Sequence, residues 1–72
     1  MNNKIAKDIF FKDCFTQSIK LAKKGYKYEA IEYLHEILGA KRYMLFTGDL
    51  SKPNANKISN LVFLIKSKYN LY

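Results

Sequence analysis

Between Lys4 and Lys24 the chain runs for 21 residues without a glycine or a proline. Within that run Phe11, Cys14, Phe15, Ser18, Ile19 and Ala22 recur at i, i+3, i+4, i+7, i+8 and i+11. That spacing puts all six on one face of an α-helix. Ile5 and Ile9 form a second, offset stripe, which allows a bend near Asp13. Lys23 and Lys24 followed by Gly25 make a helix end: cations at the negative pole, then a residue that accepts positive φ.

The same period continues downstream. In YKYEAIEYLHEIL, residues 26–38, the apolar face is Ala30, Ile31, Leu34, Ile37 and Leu38. Glu29, Glu32 and Glu36 line the other side, and Gly39 is the expected stop. Residues 40–47, AKRYMLFT, read as a short helix with Tyr43, Met44 and Phe46 around Leu45. Ser51 with Pro53 reads as a helix start, a capping serine with proline in the first turn. From 54 to 69, Ile58, Leu61, Val62, Ile65 and Tyr69 keep the period, and Phe63 and Leu64 widen the stripe. A stripe that wide predicts packing on two sides. The segment LVFLI lacks a partner strand, so helix is the better assignment there. The expected fold is all-α: one domain, 1–72, a bundle of four to five helices at roughly 4–24, 26–38, 40–47 and 54–69.

Size limits what such a bundle can enclose. A 72-residue chain buries only roughly 60% of the surface it exposes when unfolded. An enclosed site for a large cofactor is not expected, and no cofactor is assigned. At 49% apolar residues the chain is too hydrophobic for a disordered tail. Its longest apolar run, Leu61–Ile65, is far short of the roughly 20 residues a membrane span needs. Cys14 is the one cysteine and His35 the one histidine. No intramolecular disulfide can form, and a Cys-only metal site lacks ligands. A single free thiol without a secretory signal points to a reducing cytoplasm.

No phosphate loop, dinucleotide-binding glycine motif, zinc-protease motif, redox dithiol or nucleophile elbow occurs, so an enzyme is not expected. Glu32 and Glu36 lie one turn apart beside His35. A bundle metal site needs a second helix to complete such a set. None does, and these residues read as a solvated face.

The formal net charge is +7. It is concentrated at the two ends: residues 26–40 carry one lysine against three glutamates. A basic chain favours acidic protein surfaces or polyanions as partners. Leu34–Leu38, Gly39 and Lys41–Phe46 can be laid on a helix-turn-helix, with Lys41 and Arg42 aimed at a groove. Against this, His35 sits where close helix packing wants a small residue, and the aromatic residues of the second helix read as core. Only one of the thirteen basic residues is arginine, so base reading would rest on Arg42. GYKYEAIEYL also resembles part of a tetratricopeptide hairpin, but no 34-residue repeat supports a solenoid.

A broader resemblance covers residues 15–70. EAIEYL (29–34), ILG (37–39), RYML (42–45), DLS (49–51) and the helix NANKISNLVFLIKSKY (54–69) fall in one order. In that order and spacing they resemble the small N-terminal helical domain of the HemK-type release factor glutamine methyltransferases. The resemblance implies a helical bundle with Ala30 and Leu34 in the core, Gly39 as a helix cap and Leu50 as a plug. It also implies a docking role, with a release factor as the partner. No AdoMet-binding glycine loop and no Asn-Pro-Pro-Tyr motif is present, so no methyl transfer is implied.

The functional expectation is a non-enzymatic helical module that docks on a larger macromolecule as an adaptor, substrate-docking domain or inhibitor. A small chain of this kind also fits a phage or mobile-element protein that blocks a host enzyme. The partner-binding candidates are Lys41, Arg42 and Tyr43, with Lys52 and Lys57 at the next helix start. A basic cluster around a tyrosine pairs with acidic groups while the ring adds contact area. The rival expectation is a small nucleic-acid-binding protein or transcription regulator using residues 34–46. Six tyrosines and five phenylalanines on so short a chain also leave room for self-association.

Overall fold

The computed structural model describes the backbone of residues 3–72 and the side chains from Asp8 onward. Among the described residues every regular element is an α-helix: α1 (Asn3–Lys23), α2 (Lys27–Thr47) and α3 (Lys52–Tyr69). The expected all-α class is present, but with three helices in place of four to five. The stripe residue Ile5 lies outside the described side chains; Ile9 is exposed.

α1 is continuous through Asp13, so the helix is not split there. Its end is a hydrogen-bonded reversal. Tyr26 N–H donates to the Leu21 carbonyl at 3.0 Å, and Gly25 N–H donates to the Ala22 carbonyl at 3.1 Å. This paired pattern closes a helix through one left-handed residue, and Gly25 supplies it at φ +88°. α2 starts at once, so α1 and α2 form a tight hairpin. Ser18 and Ala30 are both fully buried. Short side chains at these positions let two helices approach closely, and the Ser18 hydroxyl is satisfied by the Phe15 carbonyl at 2.9 Å.

The expected stop at Gly39 is overturned. α2 runs from Lys27 to Thr47 without a break, merging the two helices expected at 26–38 and 40–47. Gly39 is not among the positive-φ glycines. A glycine inside a helix costs about 1 kcal/mol relative to alanine. Ala40, Lys41, Arg42, Met44 and Leu45 after it are all good helix formers, and Ala40 and Met44 pack against the core. Together they outweigh one glycine. The true end is nine residues later. Gly48 takes φ +82°, and its N–H donates to the Leu45 carbonyl at 3.3 Å. With Gly39 helical, residues 34–46 are one straight element, and the helix-turn-helix laid on them is absent.

α3 begins as expected. The Ser51 side chain accepts from Asn54 N–H at 3.4 Å, and Pro53 sits in the first turn, where no N–H is needed. Leu50 is buried between α2 and α3 in sequence, as the resemblance implied. The far end holds an unforeseen core residue. Asn70 adopts left-handed geometry, Leu71 N–H donates to the Lys66 carbonyl at 2.9 Å, and the chain turns back. Leu71 is thereby 1% exposed and joins the main cluster.

That cluster contains Phe11 and Cys14 from α1, Ala30, Leu34 and Ile37 from α2, and Val62 and Ile65 from α3. The stripes read from the sequence thus supply the core, except that Leu61 of the α3 stripe is exposed. The helices are not equally engaged. α1 and α2 share the largest interface, α2 and α3 a smaller one, and α1 and α3 barely meet. The expectation that α3 packs on two sides therefore fails: Leu61, Phe63 and Leu64 are all exposed. A helix with neighbours on one side buries one stripe, whatever its composition.

Candidate functional site

The five basic and aromatic candidates do not form one cluster. Lys41 is half-buried, and its ammonium donates to the Ser59 hydroxyl of α3 at 2.9 Å. It faces inward and ties two helices together. Successive helical residues turn by about 100°. Arg42 and Tyr43 therefore swing away from α3 and are exposed, with Tyr43 67% exposed. Lys52 and Lys57 are exposed on the first turns of α3, five residues apart and so on different sides of that helix. Lys57 borders a depression shared with Phe11, Phe15 and Leu50.

The structure adds apolar exposure that the sequence reading assigned to the core. Phe46, expected to pack, is 89% exposed at the end of α2. On α3, Leu61 is 46% and Leu64 59% exposed, three residues apart on one side. Opposite them stand Phe15 and Ile19 of α1. Between the two helices runs an open groove of about 420 Å³, lined also by Tyr69. A second depression of about 350 Å³ continues it toward Leu50, sharing Phe15 and Leu61 with the first. The signal in the sequence was the over-wide stripe of α3: more apolar surface than a three-helix fold can cover.

Glu32 and Glu36 are exposed on α2 beside Tyr33. Among the described residues no group of three or more His, Cys, Asp or Glu side chains lies close enough to share a metal ion. No described helix is long and apolar enough to cross a membrane.

Cys14 is a free, buried thiol. Burial pushes it above its ordinary range, and the carboxylates of Glu36 and Asp13 push it further the same way. The protonated thiol is therefore favoured. A thiol held in that form is a poor nucleophile.

The arrangement offers exposed aromatic and aliphatic surface on α2 and α3, with exposed lysines nearby. Comparison with protein-family models, with curated proteins and with solved structures finds no match to this chain.

Proposed function

We propose that this protein is a non-enzymatic docking module that acts by occupying a surface of a larger protein, as an adaptor, substrate-docking domain or inhibitor. The observation that carries the reading is the exposure of large apolar side chains, from Tyr43 and Phe46 on α2 to Leu61, Phe63 and Leu64 on α3. Apolar patches on a small protein cost solubility, and they mark surfaces that another molecule covers. Arg42, Lys52 and Lys57 add positive charge around them, which favours an acidic partner and speeds encounter with it. The motif order resembling the HemK N-terminal domain supports the same role and makes a release factor one partner to test.

The rival, a nucleic-acid binder, rested on a helix-turn-helix at 34–46, and that segment is one helix. It keeps only the net charge in its favour. The two are separated by capturing partners with the tagged chain from its host lysate, with and without nuclease. The Arg42→Ala, Tyr43→Ala double variant serves as control. A stoichiometric protein that survives nuclease is the expected result, and the variant tells whether Arg42 and Tyr43 contribute to holding it. Material absorbing at 260 nm that disappears with nuclease overturns the reading. So does binding that falls with salt at the steep slope of phosphate contacts.

A further inference from the structure

The groove between α1 and α3 has the dimensions and periodicity of a missing helix. On α3 its lip is Lys57, Leu61, Leu64 and Lys68, at i, i+4, i+7 and i+11. On α1 the facing lip is Asp8, Lys12, Phe15 and Ile19, again at i, i+4, i+7 and i+11. Both lips extend about three helical turns, roughly 16 Å. On α3 the apolar pair sits in the middle with a lysine at each flank; on α1 the charged residues come first and the apolar pair follows. That is the pattern of a face built to receive another amphipathic helix. α1 and α3 share only a small interface, so a helix can pack across their exposed sides and complete a four-helix arrangement.

The charges along the groove decide the occupant. Lys12, Lys57 and Lys68 border it, against the single carboxylate of Asp8. We infer that the α1–α3 groove binds an amphipathic helix of a partner protein whose apolar stripe is flanked by aspartate or glutamate. A second copy of this chain is a poor fit. Its own groove lips bring lysine against lysine, and the exposed face of α2, though acidic at Glu32 and Glu36, carries tyrosine and only the partly buried Ile31 between Lys27 and Glu36. The inference rests on the docking reading and gives it a place and a partner chemistry.

The test uses the whole chain and two synthetic, lactam-stapled 15-residue helices. Both carry leucine at i, i+4, i+7 and i+11; one is flanked by glutamate, the other by lysine. Fluorescence anisotropy reads affinity, and amide chemical shifts read location. The expected result is at least about tenfold tighter binding of the glutamate peptide, the equivalent of about 1.4 kcal/mol. Shifts should concentrate on Phe15, Ile19, Leu61 and Leu64. Leu64→Glu should weaken binding at least about tenfold; because Leu64 is largely exposed, the fold should tolerate it. Lys12→Glu with Lys68→Glu should reverse the preference toward the lysine peptide, a result that misfolding cannot produce. Equal affinity for the two peptides overturns the inference, and so does failure of both to bind. Shifts centred on Arg42 and Tyr43 overturn the groove but leave the docking reading standing. Sedimentation that reveals a dimer dissociated by Leu64→Glu makes a second copy the occupant and also overturns it. Capture of no nuclease-resistant protein by the unaltered chain in the lysate experiment, by contrast, defeats the docking reading itself.

Discussion

The Lys41 ammonium of α2 donates a hydrogen bond to the Ser59 hydroxyl of α3 across 2.9 Å. A lysine that sequence alone places beside Arg42 in a binding patch is thus a tether at the looser of the two main helix interfaces. A side-chain hydrogen bond of this kind is worth about 1 kcal/mol net. Lys41→Met, which keeps the aliphatic stem, should lower unfolding free energy by about that amount, as should Ser59→Ala. The double variant should lose little more than either single one, because the two remove one shared contact. Arg42→Ala should stay within about 0.5 kcal/mol of the parent. Urea denaturation of the four variants checks this; strictly additive losses would mean the side chains do not interact.

Gly39 and Gly48 should respond in opposite directions to alanine. Gly39 is helical, and a Cβ built on it meets nothing within 4 Å. Gly39→Ala should therefore stabilise the chain by about 0.5–1 kcal/mol. Gly48 holds φ +82°, where a Cβ is strained. Gly48→Ala should destabilise by about 1 kcal/mol. Thermal melts followed at 222 nm give both signs. A destabilised Gly39→Ala would restore a helix end at that position.

Leu71 is fully buried although it follows the last helix. Leu71→Ala should cost about 2–3 kcal/mol through lost burial and a residual cavity. Tyr72→Ala, one residue further and exposed, should cost within about 0.5 kcal/mol. Chemical denaturation of the pair is sufficient.

The Cys14 thiol yields a pH prediction. Its folded pKa is raised by burial and then by the Glu36 and Asp13 carboxylates. In the alkaline window between the unfolded and folded pKa values, the folded state keeps a proton that the unfolded chain has lost. This stabilisation is complete below the unfolded value of about 8.5 and disappears as pH rises through the folded one. The stability advantage of the parent over Cys14→Ala should therefore shrink between neutral pH and pH about 10. At pH 8, labelling by a disulfide reagent should be at least about tenfold slower in the folded protein than in denaturant. Rapid labelling of the native chain would place the thiol at the surface.

Local rules carried the sequence reading a long way. Helical periodicity located the buried faces of all three helices, from Phe11 and Cys14 through Leu34 to Val62 and Ile65. Cap chemistry located the ends at Gly25 and the start at Ser51. These signals are legible because each lies within one or two turns of chain and depends on backbone sterics and hydrogen bonds alone.

What the sequence could not decide was which competing local signal wins once helices pack. Gly39 reads as a stop, yet the packing of Ala40 and Met44 carries α2 through it and moves the end to Gly48. That one change removes the helix-turn-helix. Likewise, the composition of α3 demanded packing on two sides, and the tertiary structure packs it on one. Whether Leu61 and Leu64 are core or surface is not a property of their helix. It depends on the distance to α1, set by how the α1–α2 hairpin and the Gly48–Leu50 turn hold α3 away, and that geometry exists only when all three helices are assembled.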